Sequence, residues 1–112
     1  MINIEKILAR HNDDDTKTEK KHTSYLYLLD YINANASINT ISIESNIRLE
    51  YPGDFYGLLN YHNINKKLWY VTMLLNGLNS SNEYDGLDHT IRMLDETDPT
   101  VRYIIEKMKK IV

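Results

Sequence analysis

The 112-residue chain contains no cysteine. That absence removes disulfides, thiol nucleophiles and cysteine-based zinc sites, and it fits a reducing compartment. No segment approaches the roughly 20 consecutive apolar residues that a membrane-spanning helix requires. The opening stretch, Met1 to Arg10, carries charge within its apolar positions and has no small-residue cleavage site, so it does not read as a signal peptide. The expectation is a protein that stays where it is made unless lysis or assembly carries it out, with no membrane partner. A surplus of positive charge is missing too. The formal net charge is −3, with acidic and basic residues interspersed. A general nucleic-acid binder needs a basic face, so no nucleic-acid partner is expected.

Signatures of catalysis are equally scarce. His11, His22, His62 and His89 lie far apart, and no His-x-x-x-His pair occurs, so a metal site has no local signature. There is no Gly-x-x-x-x-Gly-Lys loop and no Gly-x-Gly-x-x-Gly turn to cradle a nucleotide phosphate. Ser42, Ser45, Ser80 and Ser81 have no nucleophile-elbow context. Carboxylates occur in pairs, but none sits in the apolar sequence that would raise its pKa. Asp13-Asp14-Asp15 has the chemistry to ligate a hard cation. Calcium loops, however, place ligands on alternate residues around a glycine turn, so this run reads as a solvated loop. No catalytic residue, metal or cofactor is assigned, and the chain does not read as an enzyme.

What the chain does have is tyrosine: nine, against one Phe and one Trp. Tyrosine joins a large apolar body to a polar tip, which suits surfaces buried on assembly but wet at the edges. Ordinary half-buried packing fits the same surplus. The chain is organised around Lys67 to Leu78, which holds the Trp, an apolar run broken only by Thr72 and an Asn-Gly stop. Leu68, Val71, Leu75 and Leu78 recur at helical spacing on one face, while Met73 and Leu74 lie off it. That helix is expected to be covered on more than one side. Asn76-Gly77 closes it, since both residues tolerate the left-handed conformation. So short a helix is not stable alone.

Upstream, Ile41, Ile43, Ile47, Leu49 and Tyr51 alternate with polar residues, broken only at Ser45, and predict a strand with one buried face. Pro52-Gly53 stops it, and Asp54 is placed to cap a helix over 55–62. Downstream, a polar loop through Asn79-Ser80-Ser81-Asn82 leads to a second short strand over 90–94, where Ile91 and Met93 alternate with polar neighbours. Ile4, Ile7 and Leu8 mark a short amphipathic helix near the start. Tyr25, Leu28, Leu29 and Ile32 predict a helix over 18–33, read as a core helix packed on the module, with a dedicated binding helix as the alternative and room for both on different faces. Asp98-Pro99 opens a last helix with the stripe Val101, Ile104, Ile105, Met108 and Val112. That helix either folds back on the domain or docks on another subunit.

Gly53-Asp54 before a helix, a second helix ending Asn76-Gly77-Leu78, then Gly86-Leu87 and a closing strand together resemble the LysM module over residues 47–94. In that family the two strands pair antiparallel and both helices pack on one side. The implied fold is α+β: a strand-helix-helix-strand module at 41–95, preceded by an N-terminal helical extension at 1–40 and followed by a C-terminal helix at 96–112. Leu68-Trp69-Tyr70-Val71-Thr72-Met73-Leu74-Leu75-Asn76-Gly77 is similar to the LysM-like baseplate wedge proteins of contractile-tailed bacteriophages. The chain departs from their pattern in two places. Tyr56-Gly57 falls early, with Tyr61-His62 in its place, and Asn79-Ser80-Ser81 replaces the usual Asp-Pro.

The resemblance implies a structural virion protein, made in the host cytoplasm and built into the tail or baseplate. Its partners would be other tail or baseplate proteins in a multi-subunit assembly, met through protein–protein contacts. Interface hot spots concentrate at Tyr and Trp, which makes Tyr25, Tyr31, Tyr56, Tyr61 and Tyr70 the candidates. Trp69 is expected in the core. A second reading is a glycan-binding LysM module, which would hold the N-acetyl sugars of peptidoglycan or chitin between residues 53–56 and 79–84. Against it stand the lack of an export signal, of a second module copy and of an attached catalytic domain. A third is a small cytoplasmic regulator or inhibitor encoded by a mobile element, which size and acidity would suit.

Overall fold

The computed structural model describes Ile4 and residues 18–108. Apart from Ile4, which packs partly buried against the helical part of the core, the helix expected near the start and the Asp13–Asp15 run lie outside the described residues. In chain order come α1 (Thr18–Asn35), β1 (Ile38–Ser42), α2 (Ser45–Arg48), α3 (Phe55–Tyr61), a 3-10 turn (Lys66–Leu68), α4 (Trp69–Leu75), a second 3-10 turn (Ser81–Glu83), β2 (Thr90–Leu94) and α5 (Pro99–Lys107). The two strands form one antiparallel sheet, running in register from Ile38 opposite Leu94 to Ser42 opposite Thr90. The domain is α+β.

The local signals act where they stand. Asp54 caps α3 by accepting from the Gly57 N–H at 2.9 Å. Gly77 closes α4 at φ +78°. Asp98 caps α5 by accepting from the Thr100 N–H at 2.8 Å, with Pro99 in the first turn. Its other oxygen accepts from the Ser37 N–H at 2.7 Å, so one carboxylate ties α5 to the link between α1 and β1. Those bonds, Ser37 foremost, hold its carboxyl below the ordinary range.

The strand expected over 41–51 is a correction. Pairing with β2 begins at Ile38 and ends at Ser42, so β1 starts inside the segment assigned to the N-terminal extension. Beyond Ser42 the chain turns helical, with the Ile47 and Arg48 N–H groups both donating to Glu44 O at 3.1 and 3.0 Å. Arg48, polar and outward by alternation, is instead 8% exposed. Its Nε donates to Ile43 O at 3.1 Å, and its Nη1 donates to Gly86 O at 2.9 Å and Leu87 O at 3.3 Å. A buried guanidinium needs such acceptors, and these three carbonyls override the strand pattern.

The core has two parts that meet at α4. Leu68, Val71 and Leu75 pack with Tyr25, Leu28 and Ile32 of α1 and with Val101 and Ile104 of α5. Met73 faces the other way, into Phe55, Leu58 and Leu59 of α3 and Ile91 and Met93 of β2. The helix is therefore covered on two sides, and Leu78 joins the second cluster rather than the first. Each fully buried side chain contributes about 1.5–3 kcal/mol, which is what a seven-residue helix lacks by itself. The alternatives left open for α5 resolve toward the domain, because Val101 and Ile104 are fully buried within it.

Candidate protein interface

The packing of α1 and α3 on α4 gathers aromatic rings that are distant in sequence. Trp69 and Tyr70 are the first two residues of α4, and Tyr56 is the second of α3. Tyr56 stacks on Trp69 with centroids 5.5 Å apart and planes at 29°. Tyr25 lies 4.4 Å from Tyr70 at 36°. The indole is held by its Nε1–H, which donates to Ile64 O at 2.8 Å. Lys66 Nζ stands 5.7 Å from the indole centroid, within cation–π reach.

The three hydroxyls also share an electrostatic neighbourhood. Burial raises Tyr25, with Tyr56 and Tyr70 adding to it; burial and then Tyr70 raise Tyr56; burial raises Tyr70. All three stay protonated far beyond neutral pH. They offer phenol donors and acceptors, not nucleophiles or bases.

Three of the five candidate residues thus belong to one site. Tyr25 is its buried root at 3% exposure, and Tyr56 and Tyr70 are half-buried at its surface. Tyr61 lies in a different group, 49% exposed, 6.2 Å from Tyr51 and edge-on to His62 at 5.1 Å. Tyr31 packs partly buried against the helical cluster. Trp69, expected in the core, is half-buried at the margin. Sequence reasoning missed Lys66, although the order Lys66-Lys67-Leu68-Trp69-Tyr70 sets a cation three residues before the indole, one helical turn away.

The segments that a sugar groove would use lie against each other. The Gly53 N–H donates to Tyr84 O at 2.6 Å, and the Tyr56 N–H donates to Ser81 Oγ at 3.0 Å. Beside them a pocket of about 80 Å³ is lined by Phe55, Tyr84 and Ile91 together with Glu83, Asp85 and Asp88. Small-molecule sites commonly measure roughly 300–1,000 Å³, so this one falls well short of that range. Among the described residues no group of His, Asp or Glu is arranged to hold a metal ion, and no helix is long and apolar enough to cross a membrane. No family model, curated protein or solved structure matches the chain.

Proposed function

We propose that the chain is a structural component of a bacteriophage tail or baseplate, with a LysM-like module turned to protein–protein contact. The observation that carries this reading is the aromatic site on α3 and α4, where Tyr56, Trp69, Tyr70 and Lys66 present stacked rings and a cation at one surface. Such a surface gives a partner subunit apolar area, phenol hydrogen bonds and a cation–π contact together. The LysM-like reading draws support from the order β1, α3, α4, β2 and from both helices contributing to the cluster around Ile91 and Met93. The extra turn of α2 between β1 and α3 departs from that plan.

The glycan reading is the weaker one. Its two segments use the Gly53 and Tyr56 N–H groups on each other, leaving fewer donors for an acetamido group.

The test is particle fractionation of lysate from the source cells, followed with an antibody to this chain. Co-sedimentation with tails or virions that survives high salt is expected, because apolar interfaces persist where surface charge contacts are screened. A double substitution Y56A/W69A should shift the chain to the soluble fraction. A chain that stays soluble and is retained on insoluble peptidoglycan would replace this reading with glycan binding. Retention by neither would leave a regulator.

A further inference from the structure

The sheet has two strands and therefore two outer edges, and they are finished differently. The ladder is bracketed by two hydrogen bonds: Asp95 N–H to Ser37 O at 3.1 Å and Ile43 N–H to His89 O at 2.9 Å. With the register from Ile38 opposite Leu94 to Ser42 opposite Thr90, the alternation of an antiparallel pair fixes the rest. Asn39 and Ile41 bond inward to β2. Ile38, Thr40 and Ser42 turn their N–H and C=O groups outward.

On the β2 side, the outward groups of Arg92 are already taken. Asn76 Oδ1 accepts from the Arg92 N–H at 2.8 Å, and Asn76 Nδ2 donates to Arg92 O at 2.9 Å. The side-chain amide occupies the place of a third strand. On the β1 side no such cover exists among the described residues. Among the described residues, no hydrogen bond engages the outward N–H of Ile38, Thr40 or Ser42. Edge strands are normally protected by charge, proline or a bulge. The sequence Ile38-Asn39-Thr40-Ile41-Ser42 has no charge and no proline, and its register runs unbroken.

We infer that β1 is a pairing edge for a second copy of this chain, the two β1 strands running antiparallel about a two-fold axis at Thr40. This goes beyond the proposed function and does not depend on it. In that arrangement Ile38 faces Ser42 of the second copy, Thr40 faces Thr40, and Ser42 faces Ile38. Each of these pairs exchanges both hydrogen bonds, so every outward group of the strand is used. Asn39 falls opposite Ile41. The first charged residue after the strand, Glu44, falls opposite Ala36, so no like charges stand directly opposite within the paired segments. A closed two-fold contact of this kind is self-limiting, giving a four-stranded sheet bounded at each end by the Asn76 cover.

The experiment is sedimentation velocity on the full chain over a concentration series reaching about 1 mM, enough to populate a weak dimer. Two variants accompany it. Thr40→Pro removes the central outward donor at an edge position that does not use its N–H within the ladder. Thr40→Glu places a carboxylate opposite Arg92 of its own sheet, which favours the fold, and opposite its own copy across the two-fold, which opposes pairing. The expected result is a shift from the 13.2 kDa monomer to twice that mass, with both variants monomeric at native circular dichroism and T40E partly restored by salt. Amide exchange at Ile38, Thr40 and Ser42 should slow with concentration. A wild type monomeric throughout overturns the inference, including the case where β1 becomes protected only by a different protein. So does a dimer that T40E leaves unchanged.

Discussion

Asn76→Ala should lower the stability of the domain by about 2 kcal/mol, and the structure shows why. The Asn76 side chain makes three hydrogen bonds: it accepts from the Arg92 N–H at 2.8 Å and donates to Arg92 O at 2.9 Å and to Thr72 O at 2.8 Å. A typical intramolecular hydrogen bond is worth about 0.5–1.5 kcal/mol net. Arg92 is exposed, so water replaces part of what its backbone loses, and the sum falls toward the low end. The backbone at Asn76 has φ −93° and ψ 9°, which alanine adopts freely, so no strain enters. For a domain of this size the loss lowers Tm by roughly 10 °C. Urea denaturation followed by circular dichroism should show a lower midpoint with an unchanged slope. Asn76→Asp separates the amide from the acceptor: it keeps an oxygen toward the Arg92 N–H but turns the other toward two carbonyls. It should therefore be at least as damaging as alanine. An alanine variant within about 0.5 kcal/mol of wild type, or an aspartate variant milder than alanine, would refute the bridging role.

Three further outcomes follow from single positions. Gly86→Ala sets a side chain at φ +76° and places its Cβ 2.7 Å from Arg48 O. Left-handed backbone alone costs roughly 1–2 kcal/mol, and Gly77→Ala, at φ +78° in open space, reports that cost by itself. Gly86→Ala should be the worse of the two in thermal melts, by the clash with Arg48. The Thr72 hydroxyl is fully buried without a partner among the described residues, so Thr72→Val should raise the unfolding free energy read from urea denaturation by up to about 1 kcal/mol; a loss would mean that the hydroxyl is satisfied. Burial lowers the pKa of His62 from the ordinary 6.5, so the unfolded chain takes up its proton first as pH falls. The resulting stability is complete above 6.5 and declines as pH drops from there toward the folded pKa, and His62→Gln should flatten that part of a stability-versus-pH curve. The carboxyls of Asp95 and Asp98, lowered by hydrogen bonds from Thr97 and from Ser37 respectively, lose their contribution only in a separate window below 3.8.

The elements legible in the sequence are those that local chemistry decides. Asp54, Gly77 and Asp98 mark helix ends through bonds within a few residues, so α3, α4 and α5 stand where their caps place them. The strand at 90–94 lies where the Ile91 and Met93 alternation puts it, because those side chains face the core directly. β1 lies outside most of the segment that alternation predicts, because no local rule defines it. Ile38 and Ile41 are three residues apart, a poor strand pattern, and the strand is fixed by partners more than 45 residues away in sequence, through the Asp95–Ser37 and Ile43–His89 bonds. The more convincing alternation from Ile43 to Tyr51 is interrupted by the helical turn Ser45–Arg48, where Arg48 finds the Gly86 and Leu87 carbonyls across the fold. Nothing adjacent to Arg48 in sequence announces those acceptors.

The aromatic site was legible by residue type but not by position. Tyr25 and Tyr70 meet only because α1 packs along α4, a contact between segments that share no pattern. Trp69 looked like core because it opens an apolar run, yet its place at the start of α4 leaves one edge at the surface, where Ile64 O takes its N–H. The same arrangement bears on how the site would work. Tyr25 at the root is 3% exposed and in contact with Tyr70. Tyr70 packs against both halves of the core. Tyr56 and Trp69 brace each other above the second half. The exposed ring edges are therefore held by packing that exists before any partner arrives. Ordering a rotamer-rich side chain at an interface costs about 0.5–1.5 kcal/mol, and rings fixed in this way avoid most of that cost. A tyrosine-rich surface rooted in its own core can bind more tightly than its area alone would suggest.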